Sequence, residues 1–227
     1  CKIMSSEFKA GAVIVGAGMG VRFGEKKQFK LLGSRPLLFH TLSPFLECSA
    51  IIEIVVVIPE EDVFNTSREL ASFTSAKPVK TVTGGTRRQD SVLNGCRALS
   101  DDVNIIAVHD AARPFVTPEL ISSTINGCKD ADGCIAALSS KDTVKHVINS
   151  QIQKTLDRSA IWLAQTPQTF HKDILIKALQ QDMEATDEAS MVEVAGGSVA
   201  VTEGLAENFK ITTSEDWQLA EMLVSNH

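Results

Sequence analysis

The chain has no run approaching ~18 consecutive apolar residues, so no membrane-spanning helix is expected. It has no basic excess either. The net charge is −6 with a pI of about 5.4, which argues against nonspecific nucleic-acid binding. The five cysteines, Cys1, Cys48, Cys96, Cys128 and Cys134, include no C-x-x-C pair, and no histidine spacing suggests zinc. They read as small buried thiols in a reducing compartment. The opening residues Cys1-Lys2-Ile3-Met4 do not form a signal peptide. Internal repeats and low-complexity tracts are absent. With 44% hydrophobic and 22% charged residues over 227 positions, the composition is that of an ordinary globular protein, expected to form one domain over 1–227.

The most informative stretch is residues 13–28. An apolar run over Ala12–Val15 suits a strand buried on both faces of a parallel sheet. Gly16, Gly18, Gly20 and Gly24 follow, then Arg22, Lys26, Lys27 and Lys30. Glycines let backbone N–H groups approach an anion, and the cations favour phosphate. Two familiar glycine loops are excluded. The dinucleotide fingerprint G-x-G-x-x-G fails at Val21 or Phe23, and no acidic residue stands about 20 positions on, at Leu37–Thr41. The P-loop pattern fails because Gly24 is followed by Glu25-Lys26-Lys27.

Downstream, strands and helices alternate. Strands are expected at 51–58, 79–83, 104–108, 133–138 and 197–201, and helices at 37–46, 60–74, 118–129, 171–181, 186–194 and 214–224. Gly84-Gly85 leads into a helix start with Asp90 or Ser91 in its first turn. Asp110 follows a buried strand, where open α/β sheets bind ligands, although an Asp there also caps turns. Thr143–Leu156 departs from this rhythm: two alternating stretches flank Asn149-Ser150, which reads as a hairpin too small to stand alone. The expected fold is α/β, a Rossmann-like, mainly parallel sheet flanked by helices, with a protruding β-arm at about 139–160.

Four stretches carry a resemblance: Gly-Ala-Gly-Met-Gly-Val-Arg with Lys27-Gln28; Gly-Gly-Thr-Arg-Arg-Gln-Asp-Ser-Val from Gly84; Val-His-Asp-Ala-Ala-Arg-Pro from Val108; and Asp157-Arg158 with Trp162 and Gln165-Thr166-Pro167-Gln168. Thr-Asp-Glu-Ala-Ser and Asn-Phe-Lys-Ile-Thr agree in order. Nearly the whole chain resembles the 2-C-methyl-D-erythritol 4-phosphate cytidylyltransferases of non-mevalonate isoprenoid biosynthesis.

That resemblance implies CTP as donor, Mg²⁺ bound mainly through the CTP phosphates, pyrophosphate as second product, and a homodimer joined through the β-arm. It implies a cytoplasmic enzyme, or a stromal one if plastid-borne. It places Arg22 and Lys27 at the triphosphate, with phosphates cradled by Gly16, Ala17, Gly18, Met19 and Gly20. Gly85, Thr86 and Ser91 fall at cytosine and ribose, with Asp110 and Ala111 also at the nucleotide. Asp110 is shared with the acceptor, which Arg113, Thr143, Arg158, Thr166 and Lys210 contact; Thr143 and Arg158 reach it from the partner's arm. Arg22, Lys27, Arg158 and Lys210 are the catalytic set, and no residue is assigned as a metal ligand.

The chain departs from the family at Gly16 and Lys26, where Ala and Pro are usual, at Ser139-Ser140, and in a shortened segment between Arg22 and Lys27. The alternatives are a cytidylyltransferase for another polyol phosphate such as ribitol 5-phosphate, a catalytically inactive nucleotide-binding homologue, and an NAD-binding protein, which the failed fingerprint disfavours.

Overall fold

A computed structural model describes residues 8–18, 23–73, 77–181 and 185–225. Eleven strands are formed by the described residues: β1 Ala10–Val15, β2 Leu31–Leu32, β3 Arg35–Pro36, β4 Ile51–Ile58, β5 Val79–Thr83, β6 Ile105–Asp110, β7 Gly133–Ser139, β8 Lys145–Ile148, β9 Gln151–Thr155, β10 Trp162–His171 and β11 Val199–Glu203. The α-helices are α1 Leu37–Glu47, α2 Val63–Ser72, α3 Arg88–Ala98, α4 Pro118–Gly127, α5 Lys172–Leu179, α6 Glu188–Val194 and α7 Ser214–Ser225. Seven strands form the central sheet in the order β11-β7-β10-β6-β1-β4-β5. Only β10 in this sheet runs antiparallel to its neighbours.

The sheet is buried because its strands are apolar on both faces. Along β4, Ile54, Val56 and Ile58 enter the core on one face, and Val55 and Val57 the core on the other. In β1 the same alternation sends Ala12 and Ile14 one way and Val13 the other. Leu38, Leu42 and Phe45 of α1 and Ile121 and Ile125 of α4 belong to the first core. Val92 and Cys96 of α3, Leu175 and Ala178 of α5 and Val192 of α6 belong to the second. Each wholly buried Val, Ile or Leu contributes about 2 kcal/mol relative to exposure. Gly95 lets α3 lie close to the sheet: a Cβ there would stand 2.4 Å from Val13 Cγ1.

The chain runs β1, β4, β5 towards one edge, then returns to place β6 on the other side of β1. The direction of winding therefore reverses between β1 and β6, and a crevice opens beyond their carboxyl ends. The strand ends there are tied together. Gly16 N–H donates to Val57 O at 2.7 Å, Ala111 N–H to Val15 O at 2.9 Å, and Gly84 N–H to Ile58 O at 2.9 Å.

β8 and β9 form a separate antiparallel ribbon, with Asn149 and Ser150 at φ 48 and 62 in its turn. Two positive φ values match the tight turn expected of a two-residue hairpin. Every residue of both strands is exposed.

Several expected boundaries shift. Asp110 ends β6 rather than following it. The helix after Gly85 starts at Arg88, and Asp90 caps it from inside, accepting from Arg87 N–H at 3.0 Å. α7 is opened by a reciprocal pair, with Asp216 N–H on Thr213 Oγ1 at 3.2 Å and Thr213 N–H on Asp216 Oδ2 at 2.9 Å. Residues 208–213 are loop.

Candidate active site

The crevice holds a cavity of about 330 Å³, a volume suited to a small ligand. Three segments wall it: Gly16–Gly18 after β1, Gly85–Ser91 entering α3, and Asp110–Ala112 at the end of β6, joined by Phe23, Lys27, Gln28 and Lys210. Gly84 permits the first two to touch. A Cβ there would stand 2.3 Å from Ala17 Cβ, so a side chain would push the loops apart.

Gln28 shapes the glycine turn from below. Its side chain is buried, and Nε2 donates to Gly16 O at 2.8 Å and Gly18 O at 3.4 Å. Because Gly16 gives its own N–H to Val57, the amides left for an anion are those of Ala17 and Gly18, which meet no acceptor among the described residues. Gln28 stands inside the Lys27-Gln28 motif, where no role was expected of it. An amide side chain can clamp two carbonyls, which is visible only once the chain is folded.

Asp110 is the centre of charge. It is 7% exposed. Oδ1 accepts from Arg88 Nη2 at 3.1 Å, and Oδ2 from Lys210 Nζ at 2.9 Å, with Arg113 Nε at 3.5 Å. Burial alone would raise its pKa, but Arg88, Lys210 and Arg113 outweigh burial and hold the carboxyl well below the usual range. It is therefore an anion at any physiological pH, able to accept hydrogen bonds but not to shuttle a proton. Arg88 also donates through Nη1 to Glu188, which is wholly buried. The two carboxylates raise the Arg88 pKa against its burial.

Behind Asp110 lies a neutral relay. Asp110 N–H donates to Thr166 Oγ1 at 3.1 Å, and the same oxygen lies 2.9 Å from His109 Nδ1. His109 Nε2 meets Arg113 O at 3.0 Å. Burial lowers the His109 pKa to about 4, so the ring is neutral; the Thr166 hydroxyl then donates to Nδ1 and Nε2–H donates to the Arg113 carbonyl.

Of the residues singled out from the sequence, Gly16, Ala17, Gly18, Lys27, Gly85, Thr86, Ser91, Asp110, Ala111 and Lys210 line this one cavity. Met19, Gly20 and Arg22 lie outside the described residues. Ser91 is largely committed to its loop, accepting from Gly85 N–H at 3.0 Å. Arg113 and Thr166 sit behind the wall. Thr166 is 4% exposed, and Arg113 Nη1 donates to Asn208 O at 2.8 Å. Thr143 and Arg158 are exposed at the foot of the ribbon, where Arg158 Nη1 donates to Lys141 O at 2.8 Å. Neither lines the cavity of its own chain. Sequence reasoning missed Gln28, Arg88 and Glu188 as working residues; all three stood inside quoted motifs. Lys26, at the family's proline position, turns away to Glu61 Oε1 and Asp62 Oδ2, each at 2.6 Å.

The donor set does not suit a metal held by the protein. Among the described residues no three His, Cys, Asp or Glu side chains cluster to hold an ion. The one carboxylate on the cavity wall already receives three cations. Lys27, Arg87, Arg88 and Lys210 face it instead, a lining for polyanions.

A doubly wound sheet, a glycine turn at its switch point and a cationic cavity around one permanently ionised Asp define an α/β nucleotide-handling enzyme. Comparison with known proteins narrows the class. The family model described as 2-C-methyl-D-erythritol 4-phosphate cytidylyltransferase matches residues 10–226. A protein of that name from Syntrophotalea carbinolica is 42% identical over 219 residues, covering 92% of this chain and 93% of the relative. Another from Syntrophus aciditrophicus is 40% identical over 221 residues, covering 94% of each. The crystal structure of 4-diphosphocytidyl-2C-methyl-D-erythritol synthase from Anaerococcus prevotii superposes with a TM-score of 0.86 at 29% identity, covering 96% of this chain and 99% of that one. The chain belongs to the 2-C-methyl-D-erythritol 4-phosphate cytidylyltransferase family.

Proposed function

We propose that the chain is a single catalytic unit joining CTP to 2-C-methyl-D-erythritol 4-phosphate, giving 4-diphosphocytidyl-2-C-methyl-D-erythritol and pyrophosphate. The observation that carries this beyond family membership is the Asp110 cluster at the head of a cation-lined cavity, retained with Lys27 and Lys210.

In the reaction, a phosphate oxygen of the acceptor attacks the α-phosphorus of CTP, and the bond from that phosphorus to the bridging oxygen of the β-phosphate breaks. The nucleophile is already anionic, so no general base is needed, and the work is positioning and charge stabilisation. The free amides of Ala17 and Gly18 meet the triphosphate, with Lys27 beside them and Arg22 assigned there by family likeness. Asp110 accepts from hydroxyls of ribose or acceptor. Lys210, anchored on Asp110, stands where two phosphates must approach each other. Mg²⁺, when bound, would be held mainly by the CTP phosphates rather than by protein side chains, and would supply neutralisation of their charge.

The finer assignments rest on the same family likeness. The exposed ribbon supports a homodimer in which Thr143 and Arg158 serve the partner's cavity. The free buried cysteines Cys48, Cys96, Cys128 and Cys134 suit the cytoplasm, or a plastid stroma. Among the described residues, no helix is long and apolar enough to cross a membrane.

The test is pyrophosphate release from CTP with each polyol phosphate offered separately. Release with 2-C-methyl-D-erythritol 4-phosphate at rates well above those with ribitol 5-phosphate is expected. Preference for the ribitol compound would move the acceptor assignment, and no release with any acceptor would support an inactive homologue.

A further inference from the structure

Asp110 is accounted for above, but a second carboxylate is not. Glu188 opens α6, has no exposure to solvent, and receives Arg88 Nη1 on Oε1. Its Oε2 has no hydrogen-bond partner among the described residues. A buried carboxylate with one oxygen unmet is a poor choice for stability alone, since an apolar side chain packs at that depth without loss. Burial raises the Glu188 pKa and the Arg88 guanidinium against it works the other way, so the charge of this carboxylate is tied to Arg88. One guanidinium nitrogen is held by Glu188 outside the cavity, and the other donates to Asp110 Oδ1 at 3.1 Å on the cavity wall. Asp110 Oδ2 is thereby turned to Lys210, at 2.9 Å.

We infer that Glu188 is a positioning residue for nucleotidyl transfer: acting through Arg88, it fixes the rotation of the Asp110 carboxylate and so places Lys210 between the reacting phosphates. It also keeps Arg88 committed. A guanidinium released from Glu188 would be an additional loose cation able to fold onto the triphosphate, binding the ground state without aligning it. The inference rests on the cytidylyl-transfer reading above.

Glu188→Gln keeps the shape and an oxygen for Arg88 while removing the charge. Steady-state pyrophosphate release should show kcat down about tenfold or more, the scale of a displaced catalytic group, with KM for CTP unchanged or lower. A role confined to folding would lower the melting temperature and leave kcat per folded enzyme alone. Arg88→Met and the double variant Glu188→Gln/Arg88→Met close the cycle. If Glu188 acts through Arg88, the double variant has the kcat of Arg88→Met. A Glu188→Gln kcat within twofold of wild type overturns the inference, and so does a double variant whose loss is the product of the single losses. Should Glu188→Gln fail to fold, Glu188→Met/Arg88→Met removes both charges together; kcat equal to that of Arg88→Met supports the inference, and a further tenfold loss overturns it. Wild-type turnover in the same assay separates the two readings. Its absence sinks both, whereas its presence with an unchanged Glu188→Gln sinks only the positioning role.

Discussion

Two adjacent lysines at the mouth of the site have different work. Lys27 lines the cavity, while Lys26 points back to Glu61 and Asp62. Lys27→Ala should lower kcat by ~10² with little change in melting temperature, the scale of removing one preorganised charge-stabilising group. Lys26→Ala should cost less than ~10-fold, because it loosens the segment without removing a cavity cation. Steady-state kinetics on both checks this, and the reverse ranking would mean that Lys26 has taken the phosphate role. His109 gives a second prediction. Its folded pKa of about 4 lies below the ordinary value near 6.5, so between those pH values the unfolded chain binds a proton that the folded chain refuses. Stability therefore falls with falling pH, by about 3 kcal/mol across that window. The Asp110 pKa, depressed by its three cations, lies below it, so that carboxylate keeps its contribution throughout. Urea unfolding at pH 7 and pH 4 should show the loss in wild type, and less of it in His109→Gln. Equal losses would mean that His109 is not the group titrating.

Elements were legible where one period ruled them. β4 is apolar at every position but Glu53, β1 carries no polar side chain, and both form as the residues demand. The β8–β9 ribbon was legible from its alternation and from Asn149-Ser150. β10 was not among the expected strands, and its antiparallel entry between β6 and β7 carries no local signal, because strand order is decided by packing. In the site, residue types at the cavity were legible from Gly16 to Lys27, yet the clamp by Gln28 and the Glu188–Arg88–Asp110 chain were not. Those residues lie up to 100 positions apart, and pairing across such distances is settled by the fold. The ribbon also bears a prediction. Val147, Ile148 and Ile152 are 48%, 51% and 63% exposed, and an isolated ribbon with such a face is marginal. Ile152→Glu should shift sedimentation from dimer to monomer while leaving the unfolding of the central sheet unchanged. A wild-type chain that is already monomeric at micromolar concentration would contradict the dimer.

At the scale of the molecule, Arg158 does not line the cavity of its own chain; it is exposed at the ribbon's foot, where Nη1 donates to Lys141 O. If the two-fold partner supplies it, Lys27→Ala and Arg158→Ala are complementary lesions. Each homodimer should be nearly inactive. After subunit exchange, half the dimers are mixed and each has one intact site, so activity should recover towards about a quarter of wild type. Exchange demonstrated by mass, with no recovery, would remove Arg158 from the partner's site. The central claim is narrower: the cavity around Asp110 joins two phosphates without a general base. Phosphorus NMR of CTP, Mg²⁺, 2-C-methyl-D-erythritol 4-phosphate and enzyme tests it directly. The monoester signal should give way to two coupled diphosphate signals, with one pyrophosphate released per acceptor consumed. Formation of CMP with the monoester unchanged would show hydrolysis instead, and would contradict the account.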